Sequence, residues 1–315
     1  MKRRTLISLG LGSCALAAVG QSLVARALRA DRDWPTDRLG VDLELGADLE
    51  LGADSEPLRF AAIGDVGTAE RGQYEVARAL ARRWQSSPFP LVVMTGDNIY
   101  PNGDIGKVSE AFEQPYAPLL AKGVKFYASL GNHDFRTKQG RDEIAYAGYN
   151  MPSRYYSLRQ QSAHFFGLDT NLAYVEGEEG ASAWQSQLRW LQAALVRSQS
   201  PWKIVFAHHP VYSSGKHGSS AKLISDLSPL FKRYGVQLYI NGHDHNYERT
   251  EPIEGTTYVT SGNGAMLRPV GSSTWTAYAS SQLGFATFEV HLDRVVIQAI
   301  DTDNQVYDEA VLAVS

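Results

Sequence analysis

The segment LVVMTGDNIY, residues 91–100, joins a short apolar run to a polar loop. An apolar run of this length is typical of a buried strand in an α/β core. The polar residues Asp97, Asn98 and Tyr100 follow at once, where ligands commonly lie at the carboxyl ends of strands. Gly96 permits the tight turn between the two parts. The segment therefore predicts an α/β fold with a polar site at the ends of its strands.

Four other segments repeat this arrangement along the chain. In each, an apolar run precedes a polar motif, and these motifs are GDVG (64–67), GNHD (131–134), AHHP (207–210) and GHDH (242–245). Helical periodicity lies between the runs, in residues 75–85 and 183–198. After residue 247 the pattern changes, because residues 257–261 and 286–292 alternate like strands and residues 295–300 form a hairpin partner for the latter. The pattern predicts strand–loop–helix alternation followed by a β-rich end.

Seven side chains in the five motifs can bind metal ions. They are Asp65, Asp97, Tyr100, Asn132, His208, His243 and His245. Mixed oxygen and nitrogen ligands suit Zn, Mn or Fe better than Ca or Mg. If two ions lie about 3.5–4 Å apart, one carboxylate must bridge them. Five such motifs in series indicate a two-metal phosphoester hydrolase.

The motif series resembles that of the calcineurin-like metallophosphoesterases, and within them the small, single-domain purple acid phosphatases, over residues 58–249. The resemblance implies an α/β sandwich of two mixed sheets packed face to face, with helices outside. It implies that Asp65, Tyr100 and His245 bind one ion, that Asn132, His208 and His243 bind the other, and that Asp97 bridges them. Tyr100 is the residue typical of the purple subgroup, since its phenolate favours Fe(III). The implied cofactors are Fe(III) and a divalent Fe, Zn or Mn ion.

The same resemblance implies an activity on small phosphoester molecules. It implies hydrolysis of phosphate monoesters, in which a hydroxide between the ions attacks phosphorus in line. His133 and His217 match two histidines outside the ligand set that contact the phosphate or assist the leaving group. A phosphodiesterase or nucleotidase with the same metal site is an alternative, because substrate preference depends on loops. A non-catalytic metal- or phosphate-binding protein is the alternative of another class, but all seven ligands are present.

The first 56 residues differ in composition from the rest. Residues 1–30 begin with Lys2, Arg3 and Arg4 before an apolar segment, which resembles a twin-arginine export signal. An ordinary secretory signal is an alternative, and Cys14 leaves a lipid anchor as a lesser one. Residues 31–56 contain the repeat DLELGA at 42–47 and 48–53 and are interpreted as an acidic linker. The catalytic domain is predicted over residues 57–315, with a periplasmic or extracellular location.

Composition and charge agree with an exported enzyme. The chain has 315 residues, of which 43% are hydrophobic and 20% charged, and both values are ordinary for a globular protein. Residues 1–30 hold five basic residues and no acidic ones, so the remainder has 25 basic and 34 acidic residues and a net charge of −9. This charge disfavours nucleic acid as a partner. No apolar run after the N-terminus is long enough to span a bilayer.

Overall fold

Two mixed β-sheets form the centre of the molecule. The computed structural model describes residues 40–44 and 56–313. The strands are β1 (Val41–Glu44), β2 (Leu58–Ile63), β3 (Leu91–Met94), β4 (Lys125–Ala128), β5 (Tyr156–Gln160), β6 (Ala163–Gly167), β7 (Trp202–Phe206), β8 (Leu238–Asn241), β9 (Tyr247–Thr250), β10 (Thr257–Ser261), β11 (Thr276–Ser280), β12 (Gly284–Val290), β13 (Arg294–Asp301) and β14 (Val306–Ala313). The α-helices are α1 (Arg71–Ser86), α2 (Gln114–Leu120), α3 (Arg141–Ala145), α4 (Gly177–Arg197) and α5 (Ala221–Tyr234).

Each sheet combines parallel and antiparallel strands. The eight-stranded sheet has the order β1-β5-β6-β7-β8-β10-β9-β11, and the six-stranded sheet has the order β14-β13-β12-β2-β3-β4. Strands β2, β3 and β4 run parallel, as do β6, β7 and β8. The hairpin of β12 and β13 and the next strand, β14, are antiparallel. The predicted sandwich of two mixed sheets flanked by helices is confirmed.

The parallel strands position the five motifs. In the six-stranded sheet, Ile63 pairs with Met94 and Met94 with Ala128, so β2, β3 and β4 end level with one another. In the other sheet, Phe206 pairs with Ile240 near the ends of β7 and β8. Each of these strands is followed by one polar motif. The motifs therefore leave both sheets at the carboxyl ends of parallel strands, as the sequence predicts.

An aromatic cluster joins the two sheets. Phe60 on β2 is completely buried and stacks on Phe288 of β12, with ring centroids 4.5 Å apart. Its ring also meets Phe165 of β6, in the opposite sheet, edge to face at 5.0 Å. Such pairs stabilise a core beyond the apolar area that they bury. Phe60 therefore contributes to the packing that holds the two sheets together.

Replacing Phe60 with Ala is expected to lower the free energy of unfolding by about 3–5 kcal/mol, because the cavity between the sheets cannot close fully. Phe60→Leu should cost less, since it retains most of the apolar contact. Chemical denaturation of the purified chain measures both changes. Val311→Ala serves as the control, because Val311 on β14 is 60% exposed and such substitutions change stability by only about 0.5 kcal/mol. Equal losses in Phe60→Ala and Val311→Ala would contradict this role.

Helices α1 and α4 include the two segments with helical periodicity. Helix α1 buries Val76 and Leu80, and α4 buries Leu191 and Leu195. Helix α4 ends at Arg197, one residue before the predicted end. Both helices therefore form from amphipathic patterns whose apolar faces are buried, and the apolar face of α1 packs against the core between the sheets.

The prediction that residues 31–56 form a linker is wrong for Val41–Glu44, which form β1 at the edge of the eight-stranded sheet. Alternation explains the strand, because Leu43 is partly buried and packs against the core. Asp42 accepts hydrogen bonds from Ser157 at 2.8 Å and Arg197 at 3.0 Å. Leu43 therefore packs at the edge of the sheet, and Asp42 has hydrogen-bond partners at the surface.

The predicted export signal, residues 1–30, lies outside the described residues, as do the linker residues 31–39 and 45–55. Within the described part of the chain, no helix has the length and apolar character needed to cross a membrane.

Candidate metal centre

The seven predicted ligand side chains meet where the five motifs converge. Asp65, Asp97, Tyr100 and Asn132 come from the loops that follow β2, β3 and β4. The three histidines come from the loops that follow β7 and β8. The two sheets therefore supply ligands to one site from opposite sides.

The first group of side chains surrounds the hydroxyl of Tyr100. Its Oη lies 2.9 Å from Oδ2 of Asp97, 3.3 Å from Oδ1 of Asp65 and 3.3 Å from Nε2 of His245. The same Nε2 lies 3.4 Å from Oδ1 of Asp65. Separations of this size are those of ligand atoms that share one cation at bond lengths near 2 Å. The three residues that the resemblance implies for one ion therefore lie together.

The second group surrounds Nε2 of His208. This nitrogen lies 3.0 Å from Oδ1 of Asn132, 3.0 Å from Nδ1 of His243 and 3.6 Å from Oδ1 of Asp97. His208 is completely buried. Asp97 faces this group with Oδ1 and the Tyr100 group with Oδ2, which is the arrangement that a bridging carboxylate needs.

Hydrogen bonding tests whether the second group fits a cation. Nδ1 of His208 faces the carbonyl oxygen of Thr95 at 2.9 Å, so that nitrogen carries a proton. In the neutral ring, Nε2 then presents a lone pair to Oδ1 of Asn132, which is also an acceptor. A cation between these two acceptors, which lie 3.0 Å apart, would satisfy both lone pairs at once. The donor set therefore fits a metal ion.

Electrostatics shows the same need for positive charge. Burial, followed by the charges of Asp65 and Asp97, raises the pKa of Tyr100 well above its usual value. Burial opposes a charged imidazole at His208, but Asp97 and Asp65 outweigh burial and raise its pKa. Burial and the neighbouring His208 lower the pKa of His243 far below its usual range, so His243 is neutral. A multivalent cation would reverse the effect on Tyr100 and stabilise its phenolate.

The backbone aims these ligands in an uncommon conformation. Asp65, Asp97 and His243 have φ angles of 57°, 52° and 70°, in the left-handed region that few residues other than glycine adopt. Two backbone amides fix the carboxylates, because His243 N donates to Oδ2 of Asp65 and His133 N donates to Oδ1 of Asp97, each at 2.8 Å. Non-glycine residues with positive φ are common at functional sites, where the surrounding structure compensates for strain.

Gly131 allows the third motif to approach the bridging carboxylate. A Cβ atom at this position would lie 2.1 Å from the backbone nitrogen of Asp97 and 2.1 Å from its Oδ1. Both distances are far below van der Waals contact, and one of the two atoms belongs to the backbone. Any side chain at position 131 would therefore displace Asp97.

We expect Gly131→Ala to lose bound metal, because the added methyl group would push the Asp97 loop away from the histidine loops. Gly106→Ala is the matched control, since its Cβ would meet only side-chain atoms of Asp104, the nearest of which is Oδ1 at 3.2 Å. Elemental analysis of both proteins after purification measures metal per chain, and circular dichroism checks that each remains folded. A folded Gly131→Ala protein with wild-type metal content would contradict the proposed close approach.

A buried polar network behind the site was missed from the sequence. Asp134 is completely buried and accepts hydrogen bonds from the backbone nitrogens of Asn98, Ile99 and Gly131 at 2.8–3.1 Å. The amide of Asn98 donates to Asp134 at 3.0 Å and to Glu143 at 3.3 Å. Asp134 therefore ties the Asp97 loop to the Asn132 loop.

Burial raises the pKa of both carboxyl groups in this network, Asp134 and Glu143. Burial, with the charge of Asp97, raises the pKa of Asp134 to about 7. Burial, with the charge of Asp134, raises the pKa of Glu143 well above its usual value. Two carboxylates this close in a dry environment cannot both be ionised at low energy. The GNHD motif could have identified Asp134, whereas no sequence signal marked Glu143.

His133 lies beside the Tyr100 group. Its Nδ1 lies 2.7 Å from the carbonyl oxygen of Pro101, so Nδ1 carries a proton and the ring orientation is fixed. Its ring packs against Tyr100, with centroids 4.5 Å apart, and its Nε2 points toward Oδ2 of Asp97 at 4.0 Å. His133 therefore directs one ring nitrogen into the site.

His217 lies on the other side, next to the second group. Its ring centroid is 4.1 Å from that of His243. Its backbone nitrogen donates to Oδ1 of the buried Asp244 at 3.0 Å, which holds the loop in place. Its Nε2 lies 2.6 Å from Nη1 of Arg268, a residue that the sequence did not single out. Burial, with the charge of Arg268, lowers the pKa of His217 despite the opposite effect of Asp244.

A cavity of about 380 Å³ opens beside these histidines, with His209, His217, His243 and Tyr174 in its lining. Burial lowers the pKa of His209 well below its usual value, and its Nδ1 lies 2.8 Å from Oγ1 of Thr170. Its ring packs on Tyr174, with centroids 4.9 Å apart. His209 therefore forms part of the cavity wall as a neutral imidazole.

Comparison with known proteins gives the family of the chain. Residues 58–247 match the profile described as calcineurin-like phosphoesterase. Tartrate-resistant acid phosphatase type 5 of Mus musculus is 30% identical over 242 residues, which cover 67% of this chain and 74% of that protein. Purple acid phosphatase 17 of Arabidopsis thaliana is 32% identical over 237 residues, which cover 65% of this chain and 68% of that protein. The chain belongs to the calcineurin-like phosphoesterase family.

Two solved structures share the fold. GAP50, described as the anchor in the inner membrane complex of Plasmodium, has a TM-score of 0.74 at 23% identity, with 83% of this chain and 90% of that chain covered. Purple acid phosphatase PPD1 from Lupinus luteus seeds has a TM-score of 0.71 at 22% identity, with 84% and 55% covered. At these identities the two structures support the fold alone.

Proposed function

We propose that the protein is a metallophosphoesterase of the purple acid phosphatase type, which hydrolyses phosphate monoesters at a pair of metal ions. The observation that carries the proposal is the position of Asp97. One carboxylate oxygen faces the hydroxyl of Tyr100 at 2.9 Å, and the other faces Nε2 of His208 at 3.6 Å. A structural carboxylate has no need to serve two separate groups of ligand atoms, whereas a two-metal site requires it.

The residues in each group would hold one ion. Asp65, Tyr100 and His245 form the first set, Asn132, His208 and His243 the second, and Asp97 belongs to both. A metal pair in this position supplies Lewis acidity that polarises a phosphoryl group and lowers the pKa of water. The phenolate of Tyr100 is a hard anionic ligand and supports Fe(III) in the first set. The nitrogen-rich second set suits a divalent Fe, Zn or Mn ion.

His133 is the proposed proton donor to the leaving group. Its Nδ1 is bonded to the carbonyl of Pro101, so only Nε2 is free to exchange a proton with a substrate. The hydrogen bond and the packing on Tyr100 hold that nitrogen at the edge of the site. A positioned imidazole of this kind typically contributes about 10²–10⁴-fold to the rate. Protonation of the departing oxygen is what an alkyl monoester requires most.

The cavity beside His243 is the proposed site of the organic part of the monoester. Its volume of about 380 Å³ suits a small molecule. Tyr174 is 48% exposed, although its hydroxyl bonds Oγ of Ser220 at 2.6 Å. Its accessible ring offers an apolar surface on one side of the cavity. The substrate is therefore a small phosphoester, and the signal-like pattern of residues 1–30 supports activity outside the cytoplasm.

The decisive experiment compares a monoester and a diester with the same leaving group. We expect the full-length, metal-loaded protein to turn over 4-nitrophenyl phosphate faster than bis(4-nitrophenyl) phosphate and as readily as a nucleoside monophosphate. Asp97→Asn should lose the paired metals and about 10²-fold or more of the activity, because it removes the shared anion. Diester preference would indicate a phosphodiesterase, and preference for the nucleotide would indicate a nucleotidase. Bound metals without turnover would indicate a binding protein.

A visible absorption spectrum tests the proposed Fe(III)–phenolate bond. The wild-type protein from its own host should show a broad charge-transfer band and look purple or pink. Tyr100→Phe should bleach this band while the protein still retains metal through Asp65, Asp97 and His245. Tyr149→Phe is the matched control, because the hydroxyl of Tyr149 is buried without a partner in the described part of the chain. A colourless, fully active wild type with only Zn or Mn would reject the iron assignment alone.

A further inference from the structure

The loop between β10 and β11 brings one guanidinium to the mouth of the site. Nη1 of Arg268 lies 2.6 Å from Nε2 of His217 and 3.4 Å from the carbonyl oxygen of His243. The backbone nitrogen of Arg268 donates to the carbonyl of His245 at 2.8 Å. Arg268 is therefore attached, through backbone and side chain, to both histidines of the last motif.

Neighbouring contacts hold this loop in place. Gly271 N donates to the carbonyl of Ser214 at 3.0 Å, in the loop that carries His217. Ser281 Oγ donates to the carbonyl of Arg268 at 2.8 Å. The buried carboxylate of Asp244 fixes the His217 loop in turn, through the backbone nitrogen of His217. The position of the guanidinium is consequently set before any ligand arrives.

The contact with His217 determines which partner holds the proton. A guanidinium only donates hydrogen bonds and remains charged at all relevant pH values. Nε2 of His217 must therefore accept, and its lone pair is occupied by Arg268. In this arrangement that nitrogen has no proton to give to a leaving group.

The guanidinium retains donors for another ligand. Within the part of the chain that the structure describes, Arg268 forms no ion pair, and its Nε and Nη2 have no hydrogen-bond partner. The group is half-buried beside His243, one of the proposed metal ligands. Two parallel N–H donors on a fixed fork match the oxygens of a phosphate better than any other side chain does.

We propose that Arg268 binds the phosphoryl group of the substrate, and that His217 is a positioning residue that holds the guanidinium rather than a proton donor. The proposal rests on the function proposed above. It assigns the cationic contact to a loop residue outside the five motifs. It also leaves His133 as the proton donor on the opposite side of the site.

Inorganic phosphate is the probe for Arg268, since it competes with substrate and its binding needs no turnover. In the full-length, metal-loaded protein, Arg268→Gln should weaken inhibition by phosphate and raise KM by ~10–100-fold, the range expected for charged hydrogen bonds. Arg268→Lys should recover part of this loss, because it restores the charge without the fork. Lys216→Gln is the matched control, because it removes an exposed charge next to His217. Its phosphate affinity should remain within twofold.

Metal content and thermal unfolding are measured on every variant, so that only folded, metal-loaded proteins are compared. A folded Arg268→Gln protein with unchanged phosphate affinity would overturn the proposal. So would an equal loss in Lys216→Gln, which would indicate a general charge effect. If the wild type hydrolyses no phosphoester, the proposed function fails, and calorimetric titration with phosphate still tests Arg268 independently.

The pH profile of His217→Gln tests the positioning role. The amide oxygen of Gln can accept from the guanidinium, so we expect phosphate affinity to change by only a few-fold and the alkaline limb of kcat to keep its position. His217→Ala should weaken phosphate binding in the same direction as Arg268→Gln. If His217→Gln instead removes the alkaline limb and lowers kcat by about 10²-fold for an alkyl monoester, His217 is a proton donor and the assignment is wrong.

Discussion

The position of Asp97 between two groups of ligand atoms is the constraint on which the site depends. Each group draws on both sheets, because Tyr100 meets His245 in one and Asn132 meets His208 in the other. Ligand distances are consequently set by the spacing of the sheets, which the packing of Phe60 against Phe165 helps to fix. The packing of the apolar core therefore determines the distances between ligand atoms in the polar site.

Asp134 lies behind the site and joins the Asp97 loop to the Asn132 loop. Its carboxylate oxygens accept hydrogen bonds from backbone amides of both loops, so they do not compete for the metals. The cost is burial of a second carboxyl group, Glu143, beside it. The raised pKa of Glu143 favours its neutral form, which lowers this cost because less negative charge is then buried in a region of low dielectric constant. Because this network is buried, its hydrogen bonds hold the two loops in a fixed position relative to each other.

Local sequence patterns were sufficient to predict the parallel strands that precede the motifs and the seven converging side chains. An apolar run followed by a polar motif indicates both a buried strand and the position at which the chain leaves the sheet. Leu58–Ile63 and the loop after it could therefore be predicted from the sequence alone. Contacts between distant loops have no such signature. Arg268 meets His217 across 51 positions, and Glu143 meets Asn98 from a separate helix. β1 was missed because its acidic composition concealed the alternation of Val41 and Leu43.

Strand β1 also has a consequence for the uniqueness of the fold. It lies in the segment LGVDLE (39–44), and the chain continues with LGADLE (45–50) and LGADSE (51–56). Gly40 fits where any Cβ would collide with Trp190, and each later copy has glycine at the corresponding position. A shift of six residues would therefore offer the same sheet edge a nearly identical strand. Val41 has a larger side chain than Ala47 and Ala53, the corresponding residues of the later copies, and its greater apolar area would favour the observed register.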